Sequence, residues 1–91
     1  MKFDIIYHPM VLSDDIPKLS MEWKTKIKKA IEDRLTTHPE DYGKPLRRSL
    51  KGYRKLRVGD YRVIFLLESI TVKVLAIQHR SVVYNRINKR I

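Results

Sequence analysis

Residues 53–79 read Tyr53-Arg-Lys-Leu-Arg-Val-Gly-Asp-Tyr-Arg-Val-Ile-Phe-Leu-Leu-Glu-Ser-Ile-Thr-Val-Lys-Val-Leu-Ala-Ile-Gln-His79, and this stretch decides the fold. Tyr53 to Val58, Tyr61 to Leu67 and Ile70 to His79 are rich in the β-branched and aromatic side chains that suit a pleated, half-buried surface. Gly59-Asp60 and Glu68-Ser69 separate them and read as turns. Strands joined by connections this short form an antiparallel meander, because parallel neighbours need long crossovers.

Working outward, Lys2 to His8 alternates, with Phe3, Ile5 and Tyr7 on one side, and reads as a short strand that ends at Pro9. Residues 10–18 suggest a short helix broken near Pro17. Ser20 suits a helix N-cap, and Glu22 suits the positive end of the helix that follows. Trp23, Ile27, Ala30, Ile31 and Leu35 then recur at spacings of three and four, which makes one apolar stripe for the core. Pro39 stops that helix, and Asp41 to Pro45 reads as loop. The expected fold is one α+β domain over residues 1–91, in the order β-α-α-β-β-β. Two N-terminal helices pack on one face of a small, mainly antiparallel four-stranded sheet, and the other face stays partly open.

Composition narrows the partners. The 91 residues carry a formal net charge of +10, and thirteen of the twenty Lys and Arg lie in residues 44–91. So lopsided a distribution points to a partner with repeated negative charge, most directly RNA. The absence of cysteine excludes a disulfide framework and a thiolate zinc site, which fits a reducing cytoplasm. The longest apolar run, Val63 to Leu67, is far short of a membrane span, so no membrane partner is expected.

Strand alternation places Lys55 and Arg57 together, opposite Leu56 and Val58, and the hairpin brings Arg62 beside them. Three cations on one surface repel one another unless an anion joins them. A solvated strand face is the plainer explanation of the same pattern.

Two segments, Lys44 to Phe65 and Val72 to Tyr84, resemble the RelE/ParE toxin superfamily of toxin–antitoxin systems. The resemblance implies a metal-independent endoribonuclease with no cofactor, acting on messenger RNA at the ribosome by attack of a 2′-hydroxyl on the adjacent phosphate. It matches Arg62 to an arginine that stabilises the scissile phosphate, and Lys55 to a basic residue that takes the 2′-hydroxyl proton. Tyr84 falls at a C-terminal tyrosine that stacks on the target base or aids proton transfer, and His79-Arg80 at a His-Arg pair before it. His79 competes with Lys55 as the base, since histidine titrates in the right range. Gln78 stands where some relatives carry a catalytic arginine.

Lys51, Arg54, Arg57, Arg86, Lys89 and Arg90 are the expected RNA-contacting cations. A cognate antitoxin, acidic and partly helical, is the expected protein partner, in a hetero-oligomer. The alternatives are a ParE-like inhibitor of DNA gyrase and a non-catalytic RNA-binding module. Bland roles stand beside each assignment: His79 as a strand-end hydrogen bonder, Tyr84 as a packing residue, and residues 86–90 as a solvated tail.

Overall fold

The computed structural model describes residues 2–42, 44–46 and 52–90. Its sheet has five strands in the order β1-β5-β4-β3-β2: β1 Asp4–Tyr7, β2 Lys44–Pro45, β3 Tyr53–Val58, β4 Tyr61–Glu68 and β5 Thr71–His79. The meander β3-β4-β5 is antiparallel, as the short turns require. Two corrections apply to the sheet. The segment expected as loop contributes α2, Pro39–Tyr42, and β2, which pairs with Lys55 and Arg54 on the far edge. The first strand joins β5 in parallel, Asp4 opposite Thr71 through Tyr7 opposite Val74, so the sheet is mixed. The helical segments between β1 and the meander supply the long return path that parallel pairing needs.

Residues 10–18 do form a broken helix, π-helical over Val11–Asp15 and 3₁₀ over Ile16–Lys18. Ser20 caps α1, Met21–Ala30, by accepting from the Trp23 amide at 3.3 Å. The helix runs on as a π-helical stretch, Ile31–Leu35. Ile27, Ile31 and Leu35 are buried with Leu56, Val63, Phe65, Val72, Val74 and Ile77 from the sheet, and Trp23 and Ala30 pack at the edge of that core.

The opposite face is less open than expected. A C-terminal helix α3, Val83–Ile87, covers part of it, and Val83 and Ile87 bury a second core with Ile64, Leu75 and Ala76. Five residues cannot sustain a helix alone, so this one depends on its seat on the sheet.

One turn is constrained from two sides. Gly59, first residue of the β3–β4 turn, has φ +58°, and a Cβ there would stand 2.5 Å from Trp23 Cη2. Left-handed backbone costs a non-glycine residue about 1–2 kcal/mol, and crowding a packed contact costs about 1–3 more. Gly59→Ala is therefore expected to lower unfolding free energy by about 2 kcal/mol or more, read by urea denaturation.

Candidate functional site

The hairpin builds the site. Lys55 lies opposite Ile64, and Arg57 opposite Arg62. Ile64 and Tyr53 pack toward α3, so alternation places Lys55, Arg57 and Arg62 on that same face, as the sequence implied. Gln78 lies opposite Arg62 on β5 and shares the face. Among the described residues no carboxylate forms an ion pair with Lys55, Arg57 or Arg62.

Two arginines converge on the turn. Arg62 Nη1 donates to the carbonyls of Gly59 and Tyr61, each at 2.9 Å. The Arg80 amide donates to Asp60 O at 2.8 Å, and Arg80 Nε lies 3.7 Å from Asp60 Oδ1. Arg80 thus stands at the end of the sheet beside the turn that holds Arg62. Its side chain is exposed, and its ion pair is correspondingly weak.

Other expected residues fall elsewhere. Arg54 faces the α1 side, like Leu56, and donates to Glu40 O at 3.5 Å, so it is not part of the cation cluster. His79 also turns to the α1 side. It lies opposite Tyr61, whose ring it meets edge-on at 5.6 Å, and Tyr61 in turn meets Trp23 at 4.8 Å. The His79 Nδ1 lies 2.9 Å from Ser81 Oγ and 3.2 Å from the Ser81 amide nitrogen, so Ser81 holds the ring at the strand end. The sheet therefore separates His79 from Arg62. Tyr84 sits in the first turn of α3, 38% exposed, next to buried Val83. Arg86 and Lys89 are exposed along and after α3, and Lys51 lies outside the described residues.

Arg90 departs most from expectation. It is neither solvated nor open to phosphate, because its guanidinium forms a two-pronged pair with Asp15, Nη1 to Oδ2 at 2.6 Å and Nη2 to Oδ1 at 2.7 Å. The Asp15 carboxylate also accepts from the Ile77 amide and from Gln78 Nε2, each at 2.9 Å. Burial alone would push the Asp15 carboxyl up. The hydrogen bonds from Arg90, Gln78 and the Ile77 amide, together with the Arg90 charge, outweigh burial and hold it below its ordinary value. The Gln78 Oε1 is buried with no hydrogen-bond partner among the described residues. A small cleft of about 160 Å³ opens beside this group, lined by Gln78, His79, Tyr61, Lys18 and Arg86 among others.

A family model described as the ParE toxin of the type II toxin–antitoxin system, parDE, matches residues 4–84. The chain belongs to this family. Among curated relatives, toxin RelG of Mycobacterium tuberculosis is 41% identical over 54 residues, 57% of this ParE-family chain and 62% of RelG. Toxin RelE of the same organism is 38% identical over 52 residues, 55% of this chain and 54% of RelE. The chain thus spans less than two thirds of the length of the curated relatives it matches. Among solved structures, the toxin–antitoxin complex RelBE2 of M. tuberculosis superposes with a TM-score of 0.81 at 27% identity, covering 88% of this chain and 100% of that one. A double mutant of E. coli toxin RelE in the free state superposes at 0.74 and 23% identity, covering 100% of this chain and 99% of that one, a likeness of fold. The superfamily resemblance read from the two sequence segments is borne out. No described helix of this ParE-family chain is long and apolar enough to cross a membrane.

Proposed function

We propose that the chain is the toxin of a toxin–antitoxin pair and that it cuts messenger RNA on the ribosome. The observation that carries this reading is the cation cluster Lys55, Arg57 and Arg62 on one strand face, beside the helix that bears Tyr84. Attack of a 2′-oxygen on the adjacent phosphorus forms one P–O bond and breaks the bond to the 5′-oxygen. Negative charge gathers on the phosphoryl oxygens, where guanidinium groups meet it best. Arg62 takes that role, with Arg57 and Arg80 at the margins. Lys55 takes the 2′-hydroxyl proton and Tyr84 flanks the target base. Lys55 is preferred over His79 as base because His79 lies on the other face of the sheet, packed on Tyr61. To reach a phosphate, the Arg62 guanidinium exchanges its bonds to Gly59 and Tyr61 for bonds to the substrate.

The antitoxin is expected to be an acidic, partly helical chain that folds as it binds, matched to the +10 charge. A second reading, inhibition of gyrase, draws on the ParE family match. Mapping message ends after incubation with translating ribosomes separates the two. Cyclic 2′,3′-phosphate and 5′-hydroxyl ends support the nuclease, whereas intact message with blocked DNA supercoiling supports the gyrase inhibitor. Binding to single-stranded RNA is a further check: log affinity is expected to fall with log salt by about 0.7 per phosphate neutralised. An affinity flat in salt counts against RNA as the partner of the basic face.

A further inference from the structure

One buried carboxylate, Asp15, lies at the outer edge of β5, and the cleavage chemistry leaves it without a part. The outer edge of β5 loses its strand partner after Val74, where β1 ends. Side chains finish that edge. Asp15 accepts from the Ile77 amide, and Arg90 Nη1 donates to the Leu75 carbonyl at 3.1 Å as well as to Asp15. The same carboxylate binds Gln78 Nε2 and so fixes the side chain that lies opposite Arg62. The Asp15 side chain is 1% exposed and that of Arg90 6%. A two-pronged guanidinium–carboxylate pair is specific in geometry, and Asp14 Oδ2, 3.7 Å from Arg90 Nη2, adds a weaker second partner.

The other end of the device is α3. Val83 and Ile87 seat it on the sheet, and Arg90 closes the segment three residues after the helix ends. Tyr84 therefore rides on a short helix pinned by apolar contacts on one side and by Arg90 at its far end.

We propose that Asp15 and Arg90 are positioning residues for RNA cleavage, fixing Tyr84 relative to Arg62. The proposal rests on the nuclease reading above. The pair acts on the chemical step, not on capture of the ribosome, because neither side chain is exposed enough to meet RNA. Misplacing a reacting group by about 1 Å costs on the order of 100-fold in rate.

The test uses the full chain with ribosome-bound message. Arg90→Lys keeps the charge and loses the paired geometry, and Asp15→Asn keeps the shape and loses the charge, so either one that folds is sufficient. The expected result is a single-turnover rate at saturation about 10- to 100-fold lower, with the half-saturating ribosome concentration unchanged. In a Tyr84→Ala background the same change is expected to have little further effect, since a residue that acts through another is coupled to it. Hydrogen exchange of the Val83–Ile87 amides is expected to quicken while the α1 amides stay protected. An equal loss in both backgrounds, or unchanged exchange in α3, overturns the proposal. Wild-type protein that leaves message uncut overturns the nuclease reading and this role with it, a result distinct from active wild type with additive variants.

Discussion

Arg62→Ala is expected to slow cleavage of ribosome-bound message by about 100-fold, the low end of the usual worth of a donor to a developing oxyanion, since its guanidinium must first release the turn carbonyls. The position suits such a donor because Arg62 follows a two-residue turn pinned by Trp23 against Gly59, in register with Arg57. Its guanidinium bonds two turn carbonyls when no substrate is present, so circular dichroism and a thermal melt are needed to check that the variant keeps the hairpin. Arg62→Lys should recover only part of the rate, since an ammonium keeps the charge but not the forked geometry. Lys89→Ala makes the contrast: weaker binding, with the saturated single-turnover rate nearly intact. An Arg62→Ala protein that cleaves at the wild-type rate sinks the proposed site.

The second large effect is on stability. Asp15→Ala is expected to cost about 3 kcal/mol, the low end for stripping one partner from a buried ion pair, because Arg90 keeps only the partly exposed Asp14 carboxylate, 3.7 Å away, as a charged partner. The double variant Asp15→Ala with Arg90→Ala should lose less than the two single losses summed. Acid gives an independent reading. The Asp15 carboxyl is held below its ordinary value in the fold, so its stabilisation is in place above the unfolded pKa of about 3.9 and drains away as pH falls through the lower folded value. The gap between wild type and Asp15→Ala in urea melts should therefore narrow below about pH 4. A gap that stays constant down to pH 2 would assign the loss to packing.

Much of this architecture was legible because strand and helix periods are local. The meander, the Ser20 cap and the stripe Ile27-Ile31-Leu35 follow from spacing alone, and so does the shared face of Lys55, Arg57 and Arg62. The direction of β1 was not legible, since it depends on where the helical segment returns the chain. The face of His79 was legible in principle: counted by twos from core residue Ile77, it points to the helices and away from the arginines. The role of Arg90 was hidden because its partner lies 75 positions away. A faint signal did exist in Val11, Asp15 and Leu19, spaced by four and all buried, which put a carboxylate where a helix facing the core would carry an apolar residue.

The ion pairs along α1 have an effect of their own. Lys26 with Glu22, Lys28 with Glu32 and Lys29 with Asp33 offset most of the charge on the helical side, whereas Lys55, Arg57 and Arg62 lack such counterparts among the described residues. The molecule is thus electrically polar across the thickness of its sheet. In the field of a polyanion it feels a torque as well as a pull, so it arrives with the hairpin face leading. Random tumbling would present that face only part of the time. The cheapest way to slow the encounter without touching the site is therefore to move charge to the back: reversing Glu22, Glu32 and Asp33 to lysine raises the total charge yet flattens the asymmetry that aims it.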